Sequence, residues 1–177
     1  MIIGIVLSII ILQRIIELFI ARRNEKWMKE HGAFEAGASH YPFMVAMHAF
    51  FFIALISEVF YFQRQISSTW PIWLTVFLTA QLLRIWCLAS LGKYWNTKII
   101  VLPNAKVVRK GPYKWLRHPN YIIVATELLV LPLLFNAFIT AVVFSLLNLW
   151  MMSVRIPAEE QALRNATNYT EEFQLNK

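Results

Sequence analysis

The chain has 177 residues, of which 58% are hydrophobic and 15% charged, yet 17 Lys and Arg against 10 Glu leave a formal net charge of +7. Apolar residues at this density exceed what one water-soluble core can bury, and the mean hydropathy of +0.52 points to lipid as solvent for much of the chain. The single cysteine, Cys87, excludes an internal disulfide and a cysteine-based zinc or redox centre, so no metal is expected and Cys87 reads as an inert buried thiol.

Five segments are apolar enough to be buried: residues 2–20, 42–62, 70–91, 120–135 and 137–154. At about 1.5 Å per helical residue and about 30 Å of bilayer core, the first three span comfortably. The last two are short, and with only Asn136 between them and Pro132 near the tip they predict a tight helical hairpin. The first segment has no basic region before it and is followed by Arg22-Arg23, so it is expected to be a retained helix rather than a secretory signal. The fold class expected is therefore all-α integral membrane, with five transmembrane helices in a single domain, residues 1–177. Neither a repeat nor a linker interrupts it.

The cations are not evenly spread. The connection at 21–41 carries Arg22, Arg23, Lys26 and Lys29, that at 92–119 carries Lys93, Lys98, Lys106, Arg109, Lys110, Lys114 and Arg117, and the tail carries Arg155, Arg164 and Lys177. By the positive-inside rule these three regions are cytoplasmic and the N-terminus lies outside. Such charges also suit anionic headgroups. Nucleic acid is not an expected partner, because the lysines are spaced among apolar residues rather than clustered. Oligomeric state is not legible.

The loop at 92–119 is more than a charged tether. Ile99 to Leu102 and Val107-Val108 read as two extended pieces around a Pro103-Asn104 turn. Gly111-Pro112-Tyr113 then breaks the chain before Arg117-His118-Pro119-Asn120-Tyr121. Pro119 disfavours helix at His118 and suits the first turn of the next helix, whose free amides favour an anionic group. Arg117, His118, Asn120 and Tyr121 thus gather at the membrane surface, where Trp115 and Tyr121 also read as interfacial anchors.

Ionisable groups inside spans are candidates for function. Arg84 and Glu127 are each about 12 Å inside the boundary by helical rise, and Arg14 lies at a similar depth. Glu127 is therefore expected to neutralise Arg84 or Arg14, with snorkelling toward Glu17 as the alternative for Arg14. Glu58 and His48 read as packing or helix-contact groups. After the fifth segment, Pro157 with Glu159 and Glu160 reads as the start of a short amphipathic helix.

Taken in order, Gly111-Pro112-Tyr113, Arg117 to Tyr121, a hydrophobic hairpin, then Arg155 with Glu159-Glu160 and Leu163 resemble the isoprenylcysteine carboxyl methyltransferase family. The likeness is greatest to its short bacterial members, and includes Glu35-Ala36-Gly37 and His40-Tyr41. The catalytic part covers about residues 84–173. The resemblance implies S-adenosylmethionine as methyl donor, bound at the cytosolic face, and a lipophilic acceptor entering from the bilayer. It implies a cofactor pocket from Val108 to Tyr113, including Gly111, with Leu116, Arg117, His118, Asn120, Tyr121 and Glu160, completed by the loop and the C-terminal helix. It makes Arg155 and Glu159 the catalytic pair and puts Arg84 near the acceptor, an oxygen of a carboxylate or acidic hydroxyl.

The Arg-His-Pro-Asn-Tyr piece alone is also similar to one in membrane sterol reductases, where it helps bind NADPH. There Gly-Glu closely follows the Tyr; here Ile122-Ile123 does. An NADPH-dependent lipid double-bond reductase and a non-catalytic membrane protein remain the alternatives.

Overall fold

The computed structural model describes residues 2–174 and is predominantly helical. Six α-helices are present: α1 (Ile2–Glu30), α2 (Tyr41–Tyr61), α3 (Trp70–Leu91), α4 (Pro119–Leu134), α5 (Phe138–Ala166) and α6 (Tyr169–Gln174). Two short strands, β1 (Phe34–Ala36) and β2 (Ile99–Val101), complete it. Helices α1, α2, α3 and α5 are long and apolar enough to cross a membrane, whereas α4 is an apolar helix of 16 residues. The chain forms two compact units.

The first unit comprises residues 2–38, 91–108 and 158–174. Helix α1 outruns the expected span because its buried stripe, Glu17, Ala21, Asn24 and Met28, keeps a helical period through the basic segment. An i,i+4 ion pair of Glu25 with Lys29 at 2.6 Å supports that extension. The helix stops at Gly32, whose φ of 89° lets Ala33 donate back to Met28 O at 3.0 Å and Gly32 to Lys29 O at 3.1 Å.

Polar side chains of α1 then hold the segment after α3. Asn24 donates to the carbonyls of Gly92 (3.1 Å) and Trp95 (2.7 Å), and Asn96 donates to Ala21 O at 3.2 Å. Lys98 reaches Glu25 at 3.0 Å and Glu35 at 3.2 Å, and the hydrogen bond to Glu25 holds its ammonium above the usual lysine range.

Of the two extended pieces expected around Pro103-Asn104, only the first is a strand among the described residues. Strand β2 pairs antiparallel with β1, in the register Phe34↔Val101, Glu35↔Ile100 and Ala36↔Ile99. The second leg is taken elsewhere: Asn104 donates to Ala166 O at 2.8 Å and Val107 to Asn168 Oδ1 at 2.8 Å. Ile99 and Val101 are thereby buried against Ala162, with Ala158, Leu163 and Ala166 around them.

The second unit comprises residues 39–90 and 109–157. Each long helix in it buries a stripe and exposes apolar residues elsewhere, as lipid solvent requires. In α2 the stripe is Met47, Phe51, Leu55 and Glu58; in α3 it is Phe77, Ala80, Arg84 and Cys87. Phe51 meets Phe144 edge to face at 5.5 Å. Cys87 is fully buried beside Ala80 and Ile123, with Tyr113 packed on them.

The turn after α4 forms where expected. Asn136 takes a φ of 54° and donates to Leu133 O at 3.2 Å, while Ala137 donates to Pro132 O at 2.9 Å, a cap that asparagine tolerates. The helix beyond that turn departs from expectation. Residues 137–154 do not form a short helix, and none begins at Pro157; α5 is one helix of 29 residues with Pro157 inside it. Proline removes one amide donor, and a helix tolerates that where the freed carbonyl finds another partner.

Glu58 is the helix-contact group expected, in a role the sequence did not specify. It accepts from the amides of Ile139 (3.2 Å) and Thr140 (2.7 Å) and from the Thr140 hydroxyl (2.7 Å), capping the N-terminus of α5. Arg64 lies 3.6 Å from the same carboxylate. Replacing Glu58 with Ala is expected to destabilise the protein by about 2 kcal/mol, since charged cap bonds are lost. Thermal unfolding in detergent measures this, and an unchanged midpoint contradicts the cap.

Candidate functional site

The residues singled out by motif are distributed over both units. Val108, Glu159 and Glu160 belong to the first; Arg84, Gly111, Tyr113, Leu116, Arg117, His118, Asn120, Tyr121 and Arg155 belong to the second.

In the first unit, Glu160 is held by Arg164 at 2.8 Å and by the Tyr169 hydroxyl at 3.1 Å. The i,i+4 spacing on α5 brings Arg164 to it, and the short helix α6 supplies Tyr169. An oxygen of Glu159, Oε2, is sealed from solvent. Val108 is half-buried just beyond the backbone bond made by Val107.

In the second unit, the segment from Gly111 to Lys114 is a turn of 3-10 helix. Gly111 has a φ of 52°, and a Cβ there would overlap the Ser90 hydroxyl and lie 2.7 Å from Trp86 Nε1. Glycine is thus required twice, for the backbone and for the close approach to α3. Tyr113 then packs against Cys87 and Ile123, while Leu116 and Arg117 are exposed. Pro119 opens α4 after His118, whose side chain makes no capping hydrogen bond, while the Tyr121 amide donates to His118 O at 3.2 Å. The His118 and Tyr121 rings meet tilted at 51° with centroids 5.6 Å apart, and Asn120 Oδ1 is buried without a hydrogen-bond partner. A buried carbonyl oxygen in that state costs free energy until a donor meets it.

The buried charges pair as depth predicted for Arg84. Its Nε donates to Glu127 Oε1 at 3.0 Å, its Nη2 bonds Oε2, and Gln81 donates to Oε1 at 2.6 Å. Arg14 takes the alternative, bonding Glu17 at 2.6 Å on its own helix. The guanidinium of Arg84 is therefore already matched by a carboxylate in two-point geometry.

Arg155 is only 4% exposed and lies on the buried stripe of α5 with Phe144, Asn148 and Met151. His40, half-buried in the short 3-10 turn before α2, lies within electrostatic reach of it. Both ring nitrogens of His40 are buried and lack hydrogen-bond partners. The sequence offered His40 only as part of a resemblance. No local pattern marks it, since its environment comes from a residue more than a hundred positions away.

Removing one member of the Arg84–Glu127 pair leaves a buried charge. Glu127→Ala is expected to cost about 3–5 kcal/mol, while the double replacement Arg84→Met with Glu127→Leu costs far less. Chemical denaturation in mixed micelles distinguishes the two, and equal losses would contradict the pairing.

Comparison with known proteins identifies the family. A profile described as the isoprenylcysteine carboxyl methyltransferase (ICMT) family matches residues 73–165. The chain is 49% identical over 158 residues to the uncharacterized protein YpbQ of Bacillus subtilis, covering 89% of this chain and 94% of that one. It is 31% identical over 162 residues to an uncharacterized protein of Haemophilus influenzae, covering 91% and 94%. No solved structure matches. From Trp73 to Asn165, through the Gly-Pro-Tyr turn, the start of α4 and the Arg155 to Glu160 segment of α5, this chain belongs to the isoprenylcysteine carboxyl methyltransferase family.

Proposed function

We propose that this protein is a membrane O-methyltransferase that uses S-adenosylmethionine to methylate a carboxylate or acidic hydroxyl of a lipophilic acceptor dissolved in the bilayer. The observation that carries the reading is Arg155, a guanidinium buried on α5 inside the family's matched segment. In a bilayer-spanning helix such a charge is costly and is retained where it meets an anion. By family resemblance, Glu159 takes the role of holding Arg155 or Tyr121 in place rather than accepting a proton.

The residues around the start of α4 suit the cofactor. Gly111 allows close backbone approach, the first turn of α4, which the His118 side chain does not cap, favours a carboxylate, and Asn120 Oδ1 offers an acceptor to an amino group. The His118 and Tyr121 rings, tilted to each other, give aromatic surface beside them. Tyr113, Leu116, Arg117, Val108 and Glu160 join this set by family resemblance. Once bound, S-adenosylmethionine supplies an electrophilic methyl on a sulfonium.

The chain's own part is alignment and dryness. Displacement at the methyl is in line and merges opposite charges, so a water-poor site that fixes the acceptor oxygen lowers the barrier. A carboxylate or acidic enol is ionised near neutral pH, so no strong base is needed and Arg155 clamps the oxygen. Arg84, neutralised by Glu127, sits as a fixed dipole in the wall near the acceptor. We place the site on the cytoplasmic side with the N-terminus outside, because fourteen of the 17 cations gather there, and we count α4 with α5 as the hairpin that completes five spans.

Arg155→Ala and Glu159→Gln are each expected to lower turnover at least about a thousandfold while the protein stays folded, and Lys106→Ala to cost little. Calorimetric titration of the purified protein with S-adenosylhomocysteine and with NADPH tests the cofactor. Binding of the first alone fits the proposal; binding of the second alone, or full activity in Glu159→Gln, overturns it.

A further inference from the structure

We infer that His40 is an acceptor-binding residue, its imidazole donating a hydrogen bond to the same oxyanion that Arg155 clamps. The inference rests on the methyltransferase reading of the Arg155 site and adds to it a residue from the other end of the unit's sequence.

A neutral imidazole always carries one donor and one acceptor nitrogen, and burial without partners leaves both unsatisfied. His40 is in that state at both positions. The ring sits in the 3-10 turn of Ala38–His40, where the helix α2 that succeeds it starts with Pro42 in its first turn. The nearby group that acts on it is Arg155. Guanidinium offers donors only, so it can satisfy the lone pair of one ring nitrogen but never the N–H of the other.

Two positive charges side by side in a dry site repel, so the ring works there as a neutral donor rather than as a base. An anionic oxygen between them completes the ring: it takes the His40 N–H together with an N–H of Arg155. The transfer then balances without a proton. The sulfur–methyl bond breaks with its electron pair returning to sulfur, an oxygen lone pair forms the new oxygen–methyl bond, and the oxyanion and the sulfonium both become neutral. The methylated oxygen is a weaker hydrogen-bond acceptor, so the clamp loosens on product.

The test uses the full chain in lipid nanodiscs, with histidine rings labelled with nitrogen-15 and the His40 signals assigned by their loss in His40→Ala. Dodecanoate is expected to shift the His40 ring resonances, and dodecanol at equal mole fraction to leave them in place. With dodecanoate as methyl acceptor, His40→Ala is expected to raise KM at least tenfold with unchanged affinity for S-adenosylhomocysteine, and His40→Gln, which keeps an N–H donor, to recover part of the loss. Unmoved resonances, or a wild-type KM in His40→Ala, overturn the inference even where methyl transfer proceeds. A dodecanoate-induced shift in a protein that binds no S-adenosylhomocysteine supports the His40 contact and instead overturns the methyltransferase reading.

Discussion

A guanidinium and a carboxylate buried together on α3 and α4 set the terms for the second unit. Lipid offers no water to an unpaired charge, so Arg84 and Glu127 are stable only if their helices meet in one register. That register brings Cys87, one turn further along α3, against Ile123 of α4 and lets Tyr113 close over them. It also seats Gly111 where a side chain of any size would strike Ser90. The Gly111-Pro112-Tyr113 turn is thus positioned by a pair deeper in the same helices.

Helix α5 obeys the same rule at its other polar points. Its N-terminus has amides that lipid cannot satisfy, and Glu58 of α2 meets them. Near Pro157 it gives up one amide donor and stays helical.

Much of this was legible because lipid exaggerates sequence signals. The three long spans α1 to α3, the Asn136 turn and the depth match of Arg84 with Glu127 follow from local apolarity and helical rise. Strand pairing was not legible: Ile99 to Val101 reads as a strand with any neighbour, and its partner Phe34–Ala36 was selected by backbone bonds from Asn104 and Val107 to residues near the C-terminus. Pro157 was misread because Pro followed by two glutamates is a good helix start in water, and local propensity does not say whether the preceding turn continues. Of the site, the Gly111 turn and the α4 start could be found as motifs. The environment of His40 could not, being made by tertiary contact.

The buried polar groups divide into those whose bonds are made within the protein and those whose bonds are not. Glu58, Glu127 and Asn24 have their bonds made within the protein, so replacing them is a question of stability. Asn120 Oδ1 and the two His40 nitrogens are buried with bonds unmade. Arg64 Nε, Trp95 Nε1 and Ser145 Oγ are also buried without partners, so what singles out Asn120 and His40 is their place beside the Gly111 turn and within reach of the Arg155 charge. Their chemistry also differs in the sense the proposed reaction needs: an acceptor oxygen beside the turn that would receive a cationic cofactor, and an N–H donor beside the arginine that would receive an anionic acceptor. Methyl transfer from sulfonium to oxyanion extinguishes both charges, and low dielectric strengthens the attraction between them before they vanish.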